Sequence, residues 1–446
     1  KGIPAGCPIS VILFAAAMNL LMKTAGQECR GPQTRSGARL PAGRAFMDDM
    51  TVTTKTAVGA RWILKGLEQL MQWARMCFKP KKSRSIVLRQ GKVDNKARFQ
   101  VKEEFIPTVT EQPIKYLGKW FDDTIKDTGN NKRTSNQVDE WLKAIDKSGL
   151  PGKFKTWCYQ FGLLPRLQWP LLIYNIPTST VEAIERKVSR HLRKWLGAPP
   201  GLSCAALYSR SAKLTLPLSS VVEEYKVGKV RALMTLRESQ DPKIREAEPV
   251  VQTGKKWLAS KAWSEADSRL RHKKIVGTTA KGKQGLGFGT RDNVKKTSQR
   301  DRIMGEVRQA EEEKRRAQSA AQSKQGAWLN WQGVNEKHLK WNDIWRKEQH
   351  LTKFMIRSVY DLLPTPANIT TWKLTEDPSC YMCGERGTLR HILSGCQVSL
   401  TQGRYTWRHD KVLSEIAEAL EQERKKKNTK RQGLTFINFL KPGQTS

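Results

Sequence analysis

Apolar and polar positions follow different spacings in different parts of the chain. A continuous apolar run over 11–21, broken only at Asn19, predicts a helix. Short stretches of strand-forming residues over 45–52 and 85–88 predict β-strands. The run over 11–21 falls short of the roughly 18 consecutive apolar residues of a membrane span, so we expect a core helix and no membrane partner.

Farther along the chain, apolar side chains recur at i, i+3, i+4 and i+7, which predicts helices over 131–196. The positions are Val138, Trp141, Leu142 and Ile145, and then Val181, Ile184, Val188, Leu192 and Trp195. Basic residues occupy the other faces of the second helix. Two interpretations fit equally: an ordinary amphipathic bundle with a charged solvent face, and a basic helical element that contacts a nucleic-acid backbone.

Residues 237–325 give the weakest signal. The glycine-rich stretch 281–289 lacks a phosphate-loop signature and predicts a flexible linker. Residues 303–322 are polar on nearly every face and contain Glu–Arg pairs at i,i+4, which predicts a solvated helix. We therefore expect a basic polar linker over 237–325.

Tryptophan is abundant, with 15 residues, and four of them form spaced pairs near the carboxyl end. Trp328 and Trp331 are three positions apart and Trp341 and Trp345 are four apart, so each pair could share one helical face. Stacking on unpaired bases is one interpretation. Core packing is the interpretation that we favour, because buried tryptophan dominates core energetics. We expect these side chains to close a carboxyl-terminal helical domain over 326–446.

Charge limits the partners of this chain. Lys and Arg number 80 against 42 Asp and Glu, which gives a formal net charge of +38. Such an excess predicts salt-dependent affinity for nucleic acid, although ribosomal, chromatin and membrane-surface proteins share this balance. The eight cysteines in 446 residues do not resemble a disulfide framework and favour a reducing, intracellular compartment, nuclear or cytoplasmic. The basic run at 421–431 could contact phosphates, act as a nuclear address or end a solvated helix.

Three cysteines and a histidine near the carboxyl end have the spacing of metal ligands. The pattern is Cys380-x2-Cys383-x7-His391-x4-Cys396. Three thiolates and one imidazole can close a tetrahedral structural zinc site. The alternative is a chance CxxC near an unrelated histidine and cysteine.

Asp48 and Asp49 are adjacent carboxylates between apolar, strand-forming residues. They follow the turn-rich stretch 37–43, so we expect them at the tip of a hairpin. Paired carboxylates can hold Mg²⁺ together with substrate phosphates. The alternative is an ordinary turn, which Asp also favours.

Four features stand in a set order in the first part of the chain. They are the loop Gly6-Cys7-Pro8-Ile9-Ser10, the hairpin Phe46-x-Asp48-Asp49, Lys82-Ser83 before a strand, and Tyr116-Leu117-Gly118. This order resembles the palm of reverse transcriptases from non-LTR (LINE-like) retrotransposons. The Cys380–Cys396 spacing is similar to the zinc-knuckle-like module that follows the thumb in that family.

The resemblance implies a role for each of these features. The loop residues Gly2, Gly6, Cys7, Pro8 and Ser10 would line the nucleotide and template pocket. Asp48 and Asp49 would bind catalytic Mg²⁺, and Lys82 would lie near the triphosphate of the incoming nucleotide. Tyr116, Leu117 and Gly118 would grip the primer end, and Cys380, Cys383, His391 and Cys396 would bind structural Zn²⁺.

The resemblance also implies an α+β fold with four parts. These are a partial palm with a small antiparallel sheet over 1–125, a helical thumb and connection over 126–236, the linker over 237–325, and a mainly helical zinc-binding module over 326–446. The implied activity is RNA-directed DNA synthesis by template-directed nucleotidyl transfer with two Mg²⁺ ions. Its partners would be an RNA template, a DNA primer and deoxynucleoside triphosphates.

The chain departs from the family pattern at the amino terminus. Ala5 replaces the usual Gln and Val11 the usual Pro, and the family places a further metal-binding Asp before the position of Lys1. We therefore expect a fragment that is inactive or nearly inactive alone as a polymerase. The alternative is a non-catalytic nucleic-acid-binding protein derived from a decayed retrotransposon.

Overall fold

The computed structural model of the protein describes residues 7–34, 37–246, 250–276 and 298–428. The chain divides into two compact units, Lys1–Lys353 and Phe354–Ser446. Some predicted features lie outside the described residues: Gly2 and Gly6 of the loop, the glycine-rich stretch 281–289 and the basic run beyond residue 428.

The amino-terminal part of the first unit combines two helices with hairpins. The helices are α1 (Pro8–Glu28) and α2 (Ala57–Trp73). The strands pair in antiparallel hairpins: β1 (Gly43–Phe46) with β2 (Asp49–Val52), β3 (Leu88–Arg89) with β4 (Lys92–Val93), β5 (Phe99–Val101) with β6 (Glu104–Ile106), and β7 (Ile114–Tyr116) with β8 (Lys119–Phe121). Helices with small antiparallel sheets are compatible with the predicted α+β class.

Helix α2 begins where Thr56 caps it and buries one apolar face. The Thr56 hydroxyl accepts a hydrogen bond from the Gly59 amide at 3.1 Å, which satisfies a backbone donor that the helix cannot. Ile63, Leu67 and Met71, at i, i+4 and i+8, are buried. They form the core of this region with Met18, Leu21, Met22 and Ala25 of α1.

The opposite face of α1 is exposed. Its exposed side chains include Ile9, Ile12, Leu13 and Leu20. By length and composition alone, Ile9–Gln27 could cross a membrane, with a mean hydropathy of 1.6 and 22% of its residues buried, although core helices pass the same test. This corrects the expectation that the run is too short, because residues 22–27 add only one charge, at Lys23. The core-helix prediction is confirmed only for the face that packs on α2.

Helices dominate the next part of the first unit. They are α3 (Thr128–Lys147), α4 (Gly152–Cys158), α5 (Leu164–Ile173), α6 (Thr178–Leu196), α7 (Cys204–Tyr208) and α8 (Val221–Arg237). A π-helical turn, Tyr159–Leu163, joins α4 to α5. Most of the predicted apolar positions are buried, namely Val138, Leu142, Val181, Ile184, Val188, Leu192 and Trp195. The helical prediction over 131–196 is confirmed.

Residues 237–325 differ from the expected linker. They contain α9 (Pro242–Glu246), α10 (Ala259–Val276) and α11 (Gln299–Ala320). Helices α10 and α11 pack on α8 and share a core that includes Val230, Leu233, Ala266, Ile303 and Val307. The helix expected near 303–322 is present, but it is packed rather than solvated.

Charged residues explain why α11 looked solvated from its sequence. The Glu223 carboxylate on α8 is 3% exposed and pairs with Arg315 at 2.7 Å and with Arg308 at 2.8 Å. Lys226 pairs with Glu311 at 2.6 Å. A buried charge is tolerated when it is paired and hydrogen-bonded, so these polar positions face the interface between helices.

The last part of the first unit returns to the helical body. Strand β9 (Leu214–Thr215) pairs in parallel with β10 (Lys337–His338), and α12 (Trp341–Arg346) follows. Trp328 is buried, as predicted, whereas Trp331 is exposed. The tryptophan pairs belong to the first unit, because the division falls after Lys353 and not near residue 326. The zinc-ligand pattern belongs to the second unit.

The second unit is mainly helical. It contains most of α13 (Gln349–Val359), then α14 (Pro366–Thr371), α15 (Gln397–Thr401) and α16 (Arg404–Asn428). A π-helical turn, His391–Gly395, precedes α15. The buried apolar side chains of the second unit include Ile356, Tyr360 and Ala367.

Candidate catalytic hairpin and metal centre

Asp48 and Asp49 lie at the tip of the hairpin that the sequence predicted. Phe46 at the end of β1 pairs with Asp49 at the start of β2. Met47 adopts a left-handed φ of 53° in the turn between them. Both carboxylates are exposed. Met50 and Val52 of β2 pack against the α1–α2 core, so the strand is anchored while its acidic end projects into solvent.

The chemistry of this tip suits a hard cation. Two adjacent carboxylates can supply oxygen ligands to Mg²⁺, which commonly completes its shell with water and substrate phosphates. Within the described ranges, no third Asp, Glu, His or Cys completes a group with Asp48 and Asp49. Further oxygen ligands would therefore come from the substrate or from outside the described residues.

The other predicted palm residues lie on separate elements. Cys7 caps α1 and its carbonyl accepts a hydrogen bond from the Ser10 hydroxyl at 2.6 Å, so the loop opens directly into the helix that begins at Pro8. Lys82 ends a 3-10 turn, Pro80–Lys82, and is exposed. Among the described residues, no ion pair joins Lys82 to Asp48 or Asp49.

Tyr116-Leu117-Gly118 forms the end of the β7–β8 hairpin. Leu117 and Gly118 both have positive φ, 46° and 82°, as a tight two-residue hairpin turn requires. A Cβ on Gly118 would lie 2.5 Å from Nε1 of Trp169 on α5. Glycine therefore serves both the backbone conformation and the close approach of the indole.

Hydrogen bonds fix this hairpin to the helical body. The Trp120 amide donates to the Tyr174 hydroxyl at 3.1 Å, and the Asn130 side chain donates to the Trp120 carbonyl at 3.1 Å. Lys119 pairs with the buried Asp127 at 3.4 Å. The hairpin is thus held by α3 and by the residues that follow α5.

Lys229 of α8 lies beneath this junction and is 2% exposed. Its ammonium donates to the carbonyl oxygens of Leu172 and Tyr174, each at 2.8 Å. Burial lowers the pKa of Lys229 to about 8. A charged lysine is thus held under the chain that supports the hairpin.

The structure brings together all the residues of the predicted zinc site. Cys380, Cys383, His391 and Cys396 each offer one ligand atom, and these atoms all lie within 4.8 Å of one another. Cys383 Sγ is 3.1 Å from His391 Nε2. Gly384, at a φ of 75°, makes the turn after the first two cysteines. The donor set of three sulfurs and one nitrogen fits tetrahedral Zn²⁺.

The surroundings of the cluster favour metal binding. Glu385 Oε2 lies 3.3 Å from His391 Nδ1, which leaves Nε2 directed at the cysteines, as in carboxylate–histidine–zinc arrangements. Hydrogen bonds with Ser399 lower the pKa of the Cys396 thiol to about 6, so the thiolate form that binds metal is favoured at neutral pH. The Cys396 amide donates to the Tyr405 hydroxyl at 3.1 Å, which fixes the start of α16 beside the cluster.

Comparisons with known proteins cover the part of the chain that contains the hairpin. Residues 1–121 match the family model described as reverse transcriptase (RNA-dependent DNA polymerase). The amino-terminal region is therefore a reverse transcriptase region. Asp48, Asp49, Lys82 and the Tyr116–Gly118 turn all fall inside the matched residues, whereas the cysteine cluster lies beyond them.

Two curated relatives come from retrotransposons. The chain is 25% identical over 199 residues to a retrovirus-related Pol polyprotein from type-1 retrotransposable element R2 of Popillia japonica, covering 44% of this chain and 32% of the relative. It is 22% identical over 232 residues to the corresponding polyprotein from type-2 retrotransposable element R2DM of Drosophila melanogaster, covering 49% of this chain and 21% of the relative. The matched region therefore spans a third or less of each relative.

The local motifs of the reverse transcriptase region did not reveal its supporting residues. Trp169, Tyr174 and Lys229 position the β7–β8 hairpin from 50 or more residues away in sequence. The sequence signal at these residues is only that of a helix or its end. The burial of Lys229 becomes visible only in the structure.

Proposed function

We propose that this chain is the polymerase part of a non-LTR retrotransposon reverse transcriptase, which extends a DNA primer along an RNA template. The observation that carries this proposal is the pair of exposed carboxylates at the tip of the β1–β2 hairpin, inside the region that matches the reverse transcriptase family. Net charge of +38 supports binding of both strands through their phosphates.

Each predicted residue has a distinct task in the proposed reaction. Asp48 and Asp49 would hold Mg²⁺, which stabilises charge as the primer 3′ hydroxyl displaces pyrophosphate from a deoxynucleoside triphosphate. Lys82 would contribute positive charge to the triphosphate. The Tyr116–Gly118 turn would hold the primer end, and the helices from α3 to α8 would act as the thumb. The loop that opens α1 would line the nucleotide pocket.

We further propose that the cysteine cluster binds one structural Zn²⁺. The support is its closed donor set, in which three sulfurs and one nitrogen leave no position for a substrate. Free thiols gathered as metal ligands suit a reducing compartment, so an intracellular location is part of the proposal.

Primer extension with the full chain tests the polymerase proposal. With an RNA template, an annealed DNA primer, deoxynucleotides and Mg²⁺, extension should be slow, because Ala5 and Val11 depart from the family pattern. Asp48→Ala should reduce this extension by a factor of about 100 or more while binding of the primer–template is retained. Asp123→Ala is the matched control, because Asp123 is also an exposed aspartate beside another aspartate, Asp122.

The outcomes separate two functions. Extension that Asp48→Ala does not reduce would contradict the assignment of the hairpin. Tight binding with no extension by the unaltered chain would favour the second candidate, a non-catalytic nucleic-acid-binding protein. The observation that favours this candidate is the lack of a third ligand beside Asp48 and Asp49 among the described residues.

A further inference from the structure

Four aromatic rings form a continuous row on the surface of the first unit. The ring centroids of Trp345 and Trp157 are 6.5 Å apart, those of Trp157 and Phe161 5.3 Å, and those of Phe161 and Trp341 5.7 Å. Phe161 is 51% exposed, Trp345 44% and Trp157 39%. We call these four side chains the aromatic row. Large apolar rings left this open in a group commonly mark a binding surface.

The local helix geometry turns one ring of the row outward. Tyr159 and Phe161 lie in the same π-helical turn, and insertions of this kind occur often at functional sites. Tyr159 is fully buried and donates to the Ser219 carbonyl at 2.6 Å, whereas Phe161 faces solvent. The buried tyrosine thus anchors the turn that presents Phe161.

The aromatic row shares a helical segment with the support of the β7–β8 hairpin. Trp157 and Phe161 lie on α4 and the π-helical turn, and Trp169 lies farther along the same segment on α5. Trp169 is 51% exposed and also packs against Gly118. Exposed aromatic side chains therefore run along this segment toward the turn that would hold the primer end.

Positive charge borders the row. Lys340 and Arg346 flank the two tryptophans of α12, and both are exposed and form no ion pair among the described residues. The Asp343 carboxylate between them is occupied by the backbone amide of Lys340 at 2.9 Å. Lys153 donates to the Trp345 carbonyl at 2.9 Å, which ties α4 to α12 and holds the row together.

We propose that the aromatic row binds an unpaired nucleic-acid strand by stacking its bases. The inference extends the proposed polymerase function and depends on it. An aromatic side chain can stack on any base whose face is free, and neighbouring cations neutralise the phosphates. A duplex hides its base faces within its own stack, so the row would select single strands, such as template or displaced strand near the hairpin.

The test compares two oligonucleotides of equal length, one with bases and one with abasic sugars. Both carry the same phosphates, so any difference in affinity measures the contribution of the bases to binding. The unaltered chain should bind the strand with bases about tenfold or more tighter, because each stacked base contributes on the order of a factor of ten. The variant Trp157→Ala/Phe161→Ala should bind both strands within about twofold of one another, with the salt dependence of binding unchanged.

Two further variants keep the test specific. Trp73→Ala removes a 76% exposed tryptophan outside the row and should behave as the unaltered chain. Trp157→Phe/Phe161→Trp keeps an aromatic ring at each position and should retain the preference for bases. Circular dichroism of each variant checks that the helices are intact.

Several outcomes would overturn the proposal. Equal affinity of the unaltered chain for both strands contradicts stacking and leaves the polymerase proposal intact. If neither strand nor a primer–template duplex binds, both proposals fail. If sedimentation shows that the unaltered chain dimerises, that the Trp157→Ala/Phe161→Ala variant does not, and that strand binding is unchanged, the row is instead a contact between two copies.

Discussion

Gly118 and Trp169 pack so closely that a Cβ on Gly118 would lie 2.5 Å from the indole Nε1. Gly118 also has a φ of 82°, a conformation that residues with a Cβ rarely adopt. The β7–β8 turn therefore packs tightly against α5 and leaves no room for a side chain at position 118. The position of the turn depends on the position of that helix.

Gly118→Ala should destabilise the fold and move the turn. The backbone conformation costs about 1 kcal/mol for a residue with a Cβ, and displacement of the indole adds about another 1 kcal/mol. Urea unfolding measures the total. Gly91→Ala is the matched control, because Gly91 also has a positive φ, 77°, but no atom lies within 4 Å of its would-be Cβ. Equal losses in the two variants would contradict a steric role for Trp169.

Lys229 should make stability depend on alkaline pH. Its pKa is lowered from 10.5 to about 8 in the folded chain, so the unfolded chain binds more protons between these values. The contribution of Lys229 to the free energy of unfolding should therefore be lowest below about pH 8, where the buried ammonium is charged. It should rise by up to about 3 kcal/mol toward pH 10.5.

The Lys229 contribution is isolated by subtraction. Urea unfolding of the unaltered chain and of Lys229→Met is measured at pH 7.5 and at pH 10, and the difference between the two pH dependences belongs to Lys229. The variant should lack the alkaline rise. If both proteins show the same pH dependence, the carbonyls of Leu172 and Tyr174 stabilise the ammonium enough to offset its burial.

The cysteine cluster should carry about one zinc ion per chain, and Cys383→Ser should carry almost none. Because a structural zinc site contributes on the order of 10 kcal/mol, removal of the metal with a chelator should unfold the chain around residues 378–405. Metal analysis and amide hydrogen exchange measure the two effects. Cys77→Ser is the control, since Cys77 is an exposed thiol outside the cluster. Equal zinc content in both variants would exclude this site.

Glu312 should hold α11 against the chain that follows α7. One of its oxygens accepts hydrogen bonds from the amides of Arg210 and Ser211, each at 2.9 Å, and from the hydroxyl of Ser209 at 2.5 Å. Burial raises the pKa of Glu312, but the hydrogen bonds from Ser209 and Ser211 outweigh this effect and lower the pKa below its usual 4.5. Its contribution to stability is therefore present above about pH 4.5 and lost as the pH falls below that value.

Glu312→Gln should lower the free energy of unfolding by about 1–3 kcal/mol at pH 7, because the amide replaces a charged acceptor with a weaker one. Thermal or urea unfolding measures the loss. Glu313→Gln is the matched control, since Glu313 is the next residue and its contacts, with Arg269 at 3.5 Å and with the Gln309 side-chain amide at 3.4 Å, are exposed. A similar loss in the control would show that α11 depends on total charge and not on this contact.

Features confined to a short stretch of chain could be predicted from the sequence. The Asp48–Asp49 hairpin follows from strand-forming residues beside a turn-rich stretch, and both the turn and the strands are local. The cluster from Cys380 to Cys396 spans only 17 positions, so its spacing alone brings the ligands close. In both cases the residues that form the feature are neighbours along the chain.

Features that join distant residues could not be predicted. Trp341 and Trp345 pack against Phe161 and Trp157, and no local periodicity links segments so far apart. The prediction that α11 is solvated was wrong for a different reason. Its interface with α8 uses ion pairs such as Arg315–Glu223, and a hydrophobic pattern counts such residues as solvent-facing.

The ion pairs of Glu223 also limit how early this part of the protein can fold during synthesis. Arg308 is 85 residues downstream of Glu223, so a ribosome that adds 5–20 residues per second makes it roughly 4–17 s later. During that interval Glu223 has only Arg210, which precedes it in the chain and pairs with it at 2.8 Å, and it lacks Arg308 and Arg315. The helical body, whose core includes Ile303 and Val307, can therefore be completed only after α11 has been synthesised.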